Sequence, residues 1–258
     1  MGFAGVNDAE AQSPRFLRIR FARDESARYL SHLDTVRLFS RTFRRAGLPV
    51  AWSQGFNPHP VMTFALPLAV GVSSVCEYAD IGMTETVDPA EAIIWINRFL
   101  PEGYRVVAAA ESDGKGLMAA VYAADYRIRW QVGNPDPAAG WPEIWSRSMD
   151  DFMAEQVITA ERCMEKQGRK VTRQINIRPL VRSLRPGKGT EADILEAEAV
   201  TDAGSRSNLR PDLLAGALAS RFAGSCGARI HLADIRRQRL FLDGLLPEGS
   251  EQGGLGKP

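Results

Sequence analysis

Apolar and polar residues alternate along several stretches of the chain with the period of two that marks a half-buried strand. In FLRIRFA, residues 16 to 22, Leu17, Ile19 and Phe21 interleave with Arg18 and Arg20. The period then lengthens to that of a helix. Ser31 is a good N-cap with Asp34 three residues on, Leu33, Val36, Phe39, Phe43 and Ala46 form an apolar stripe, and Gly47 with Pro49 stops it. Strands are expected at 61 to 66 and 75 to 83. Asp88, Pro89 and Glu91 read as the N-cap, first-position proline and third-position acid of a helix ending near Phe99, and YRVVAAA from Tyr104 closes a βαββαβ order.

The same order returns in the second half. YRIRWQV from Tyr126 is a strand, WPEIWSRSMDDFMAE a helix, VTRQINIRPLV and ADILEAEAV two strands, RPDLLAGALASRF a helix and ARIHLADI a strand. Arg18-Ile19-Arg20-Phe21 matches Arg127-Ile128-Arg129-Trp130, and Pro67-Leu68 matches Pro179-Leu180, at nearly constant offset. An internal duplication accounts for this. The expected fold is α+β, two tandem ferredoxin-like units with antiparallel sheets, the first over 15–112 and the second over 120–240. Residues 1–14 and the tail 247–258 are polar, Gly-rich and aperiodic, so both are expected to be disordered.

Composition narrows the function classes. The 258 residues carry 32 basic and 31 acidic side chains, so any charge argument has to be local. Cys76, Cys163 and Cys226 lie far apart with no CxxC or CxxxCxxC spacing, which suggests neither a disulfide framework nor a zinc or iron-sulfur site and fits a reducing cytoplasm. No apolar run approaches a membrane span, and no signal peptide is recognisable. HExxH, P-loop, GxGxxG and GxSxG patterns are all missing, so no metal and no cofactor is expected.

Two cationic regions and two histidines carry the candidate chemistry. Residues 168 to 190 hold Arg169, Lys170, Arg173, Arg178, Arg182, Arg185 and Lys188 without an acid, and Arg37, Arg41, Arg44 and Arg45 cluster on the first helix. Such arginine-rich surfaces suit phosphate contacts, with Trp52 and Phe56 available to stack on bases. The opposing reading is a solvated face laced with local ion pairs. His32 sits at the first turn of the first helix, where the helix dipole disfavours its protonation. His59 lies between Pro58 and Pro60 in SQGFNPHP, and each proline holds the residue before it extended. Either imidazole is a candidate general base, and whether they meet in space stays open at this level. His231 is expected to be a surface residue.

Tyr29-Leu30-Ser31-His32-Leu33-Asp34, Arg45-Ala46-Gly47-Leu48-Pro49, Ser53-Gln54-Gly55-Phe56-Asn57-Pro58-His59-Pro60 and Ala65-Leu66-Pro67-Leu68 together resemble a bacterial family of uncharacterised radical SAM-linked, or radical SAM-associated, proteins. The resemblance implies a radical SAM enzyme as partner, in gene neighbourhoods with RNA-handling components. Without CxxxCxxC the chain itself holds no radical cluster. The expected function is a non-catalytic RNA-binding accessory that presents ribosomal or transfer RNA to that enzyme, through Arg41, Arg44, Arg45, Arg169, Lys170, Arg173, Arg178 and Arg182, with Ser31, Asp34, Gly55, Phe56, Asn57, Pro58 and Pro60 as the motif residues. One alternative, from a fold-level similarity to CRISPR repeat-processing proteins, is a metal-independent endoribonuclease using His32 or His59. Another is a docking module for the enzyme alone.

Overall fold

A computed structural model describes residues 15–133, 140–166, 168–189, 193–227 and 229–243. Both segments expected to be disordered lie outside these residues. The chain is of mixed α+β class with a mostly antiparallel sheet. The first half contributes β1 (Arg15–Arg23), α1 (His32–Ala46), β2 (Met62–Phe64), β3 (Val72–Met83), α2 (Pro89–Phe99) and β4 (Tyr104–Ser112). A short turn of helix, α3 (Leu117–Ala120), leads into β5 (Val121–Gly133), followed by α4 (Trp141–Ala154), β6 (Thr159–Lys166), β7 (Arg169–Asn176), β8 (Val181–Pro186), β9 (Ile194–Asp202), α5 (Pro211–Cys226) and β10 (Arg229–Leu242).

Local signals explain most of these elements. The hydroxyl of Ser31 accepts from the Asp34 amide while the Asp34 carboxylate accepts from the Ser31 amide, and Gly47 ends α1 in the left-handed region at φ 65°. Asp88 caps α2 by accepting from the amides of Ala90 and Glu91. The apolar face of α1 differs from the expected stripe. Leu38, Phe39 and Phe43 are buried with Thr35 and Thr42, whereas Leu33 is 64 % exposed. The Thr35 hydroxyl lies 2.7 Å from that of Tyr104 on β4, so a polar pair takes a core position that hydrophobicity alone assigned elsewhere.

Eight strands form one sheet in the order β4-β1-β3-β10-β5-β9-β8, with β2 beside the C-terminal part of β3. The first half therefore runs β4-β1-β3-β2 and the second β10-β5-β9-β8. The halves join where β3 and β10 pair in parallel over Val72, Ser73 and Ser74; the other pairs are antiparallel. The stretch expected as one strand from 171 to 181 is divided. Its first part forms a separate two-stranded hairpin, β6-β7, and Arg178–Leu180 is a single 3₁₀ turn before β8. Arg18–Phe21 and Arg127–Trp130 hold the same place in their halves. Pro67-Leu68 follows β2, whereas Pro179-Leu180 precedes β8.

The helices share one face of the sheet. Leu17, Ile19 and Phe21 point to α1 and α2, with Phe21 edge-on to Phe39 at 4.9 Å, and Trp130 meets Trp145 of α4 at 5.0 Å. Arg237 ties the two sides of this face together: its guanidinium bonds Glu77, which stands opposite Phe21, and the Tyr126 hydroxyl, two residues from Ile128. Alternation then sends Arg18, Arg20, Arg127, Arg129 and Arg236 to the face without helices. Arg18 is buried there in a two-point pair with Asp80, at 2.7 and 2.8 Å.

Candidate nucleic-acid interface

The segment from 50 to 61 is a hairpin-like excursion from the end of the sheet. The Ala51 amide donates to Gly82, Val61 to Ala51, and Gly82 to Val61, each at 2.8 Å, and Trp52 bridges to Pro60. The loop is then closed by Ser53 and His59. The Ser53 amide donates to the His59 carbonyl at 2.8 Å, the His59 amide donates to Ser53 Oγ at 3.1 Å, and Oγ lies 2.8 Å from His59 Nδ1. Nδ1 also lies 3.5 Å from the Asn57 carbonyl, so that side of the ring faces into the loop. Pro58 and Pro60 flank this clasp, and His59 is exposed. Gly55, at φ 131°, turns the loop so that Phe56 stands fully exposed at its tip.

His32 belongs to different surroundings. Its ring is half-buried, edge-on to Phe64 at 5.0 Å, beside a void of about 10 Å³ lined also by Phe21, Arg23, Thr35 and Glu77, room for about one water. Burial, and then the charge of Arg23, pushes the imidazole below its ordinary range. The buried Arg23 guanidinium donates to the carbonyls of Leu30, Ala69 and Val72 at 3.0, 2.9 and 2.6 Å and so fastens the turn before α1 to the turn before β3. His32 and His59 thus have separate partners, and the fold does not join them as an acid–base pair. Among the described residues no group of three potential ligands could hold a metal ion.

The outer surface of α1 is basic. Arg37, Arg41 and Arg44 recur at helical spacing with Arg45 beside them, all exposed. Arg37 approaches Asp34 at 3.7 Å, an interaction that also keeps the carboxyl low after the larger effect of the Ser31 hydroxyl. No ion pair to Arg41, Arg44 or Arg45 occurs among the described residues. Instead, Arg44 lies over the Trp52 ring at 4.2 Å and Arg45 over Phe99 at 5.5 Å, while Arg98 approaches Trp95 at 5.8 Å and Phe99 at 6.0 Å. Guanidinium groups and rings thus alternate from α2 across α1 to the exposed loop. Trp95, Arg98 and Phe99 were not singled out from sequence, although their i, i+3, i+4 spacing on a helix was the available signal.

The second cationic region is arranged differently from what its composition suggests. Arg178 is committed to the fold, donating to the Met153 carbonyl at 2.7 and 3.2 Å and to that of Val181 at 3.1 Å. Arg182 pairs with Asp202 and Arg185 with Glu198, both at 2.7 Å. The missing acids are supplied across the sheet from β9, which the absence of local carboxylates concealed. On the β6-β7 hairpin Arg173 is exposed and stands opposite Arg162. The side chains of Arg169 and Lys170 lie outside the described residues. Lys188 and His231 are exposed.

Comparison with known proteins places the chain without naming its activity. No curated protein matches it. Similar solved structures include a Cbf5-Nop10-Gar1 complex (10 % identity, TM-score 0.44, 88 % of this chain and 50 % of that one) and an H/ACA RNP bound to a substrate RNA containing 2'-deoxyuridine (10 %, 0.43, 88 % and 49 %). An archaeal box H/ACA sRNP Nop10-Cbf5 complex is also similar (10 %, 0.40, 86 % and 47 %). The chain spans about half the length of these solved chains. Residues 17–211 match the model of a family described as an uncharacterized protein conserved in bacteria, DUF2344, and the chain belongs to that family.

Proposed function

We propose that the protein is a non-catalytic RNA-binding accessory that holds a single-stranded part of ribosomal or transfer RNA for a separate radical SAM enzyme. Its scaffold, on this reading, is a tandem of ferredoxin-like units, supported by the common strand order of the two halves. The observation that carries RNA binding is the belt from Trp95 through Arg98, Phe99, Arg45, Arg44 and Trp52 toward Phe56. Its arginines stack on rings with their donors turned outward, and such alternation of cation and ring suits phosphates and unpaired bases. The enzyme partner comes from the sequence resemblance alone.

Filter binding of a short single-stranded RNA over a salt series tests this reading. Four phosphate contacts by Arg37, Arg41, Arg44 and Arg45 give a log–log salt slope of about −2.8, and replacing Arg41 and Arg44 by alanine reduces it to about −1.4. Phe56→Ala weakens binding by about 1 to 3 kcal/mol without changing the slope. An unchanged slope in the double variant refutes the belt. The endoribonuclease reading has less support, because His32 and His59 have separate partners and His32 is half-buried against Phe64. It predicts cleavage of total RNA by the purified protein. The docking-module reading draws on exposed Tyr29, Leu33 and Val70 around His32 and predicts co-purification with the enzyme and no RNA.

A further inference from the structure

The helix-free face of the sheet contains a charge cluster that neither the belt nor the fold uses up. Arg236 on β10 stands directly opposite Arg127 on β5, an arrangement in which like charges repel. Asp234, on the same face, is 10 % exposed and lies 3.5 Å from Arg127 and 3.6 Å from Arg28, which reaches in from the turn after β1. Those are ion-pair separations, too long for good hydrogen bonds. Neither Asp234 oxygen has a hydrogen-bond partner, and the buried Nε donors of Arg127 and Arg236 have none either. Glu196 takes Arg129 at 3.4 Å and reaches Arg127 only at 4.0 Å. Arg236 makes no ion pair among the described residues. Arg28 and Arg127 thus flank one carboxylate that holds them without consuming their hydrogens, and Arg236 stands opposite Arg127 on the same face.

We propose that Arg28, Arg127 and Arg236 form a phosphate-binding site on this face, separate from the α1 belt. A tetrahedral phosphate offers oxygens in several directions at once, which suits planar guanidinium groups converging from a turn and two strands. It relieves the repulsion between Arg127 and Arg236. Asp234 positions the site by spacing Arg28 and Arg127. Tyr29 does the same from outside, since its hydroxyl accepts from Arg28 at 2.9 Å and its ring lies 4.9 Å from the guanidinium.

The full chain is titrated calorimetrically with inorganic pyrophosphate and, separately, with a short oligouridylate, while the arginine Nε–Hε resonances are followed by NMR. Arg236→Gln is the first variant because that side chain has no ion pair to lose; Arg28→Gln is the second. Each is expected to weaken binding about tenfold, Arg236→Gln without lowering the thermal midpoint, and the Nε–Hε signals of Arg127 and Arg236 shift in the wild type. Weakening of both probes, or of pyrophosphate alone, supports a site for a small phosphorylated ligand. Weakening of the oligonucleotide alone assigns the site to an RNA backbone phosphate. Unchanged affinity for both probes in both variants overturns the proposal. So does pyrophosphate binding that is lost instead in the Arg41→Ala, Arg44→Ala variant, whereas loss of only the oligonucleotide there leaves this site standing and supports the belt.

Discussion

Removing the Glu77 carboxylate is expected to be among the most damaging single changes in this protein. The side chains of Glu77 and Arg237 are 5 % and 4 % exposed, and one guanidinium nitrogen lies 2.9 Å from each carboxylate oxygen. Burial is the largest single influence on Arg237 and disfavours its charge, but the Glu77 charge, the Tyr126 hydroxyl and Cys76 together outweigh it and raise the guanidinium pKa. In Glu77→Leu that charge stays buried with only the Tyr126 hydroxyl, at 3.2 and 3.3 Å, as a partner. Breaking a buried pair in this way costs about 3 to 5 kcal/mol, against a total stability of about 5 to 15 kcal/mol. At about 2 to 4 °C per kcal/mol for a chain of this size, the midpoint falls by roughly 6 to 20 °C. The double variant Glu77→Leu, Arg237→Met removes both charges and should recover most of the loss, because apolar replacement of a whole buried pair is close to neutral. Urea unfolding followed by circular dichroism and by Trp130 and Trp145 fluorescence measures both. A single variant within about 1 kcal/mol of wild type, or a double variant as unstable as the single, refutes the reasoning.

Two further outcomes follow from buried groups. Burial first, and then the neighbouring Glu77 charge, pushes the Cys76 thiol up to about 12, so near pH 8 only about one molecule in ten thousand carries the thiolate. Peptide-level mass spectrometry should find Cys76 unmodified by iodoacetamide in the folded protein and modified once urea unfolds it; rapid native labelling would contradict this. His32 is held below its ordinary range in the folded chain, so as pH falls from about 7.5 to about 5.5 the unfolded chain gains a proton that the folded chain resists. Stability should decline over that window in the wild type and less so in His32→Gln, and identical pH profiles for the two would count against the burial of this ring.

Much of the architecture is legible in the chain because it rests on near neighbours. The alternation in Leu17, Ile19 and Phe21, the Ser31–Asp34 cap, the Asp88 cap and the Gly47 stop all act within a few residues, and each stands where the pattern indicates. The same local logic identified Arg41, Arg44 and Arg45 as exposed cations. Tertiary structure decided whatever depends on distant partners. The strip around Arg182 and Arg185 reads as unopposed until β9 brings Asp202 and Glu198 against it, and Arg178 reads as free until the Met153 carbonyl takes its donors. Thr35 fills a core position only because Tyr104 arrives from a strand 69 residues away. Joining both halves into one sheet, and with it the Glu77–Arg237 pair 160 residues apart, depends on which strand edges meet. Helix and strand formation responds to local spacing, whereas charge compensation and edge pairing are settled only when the chain closes on itself.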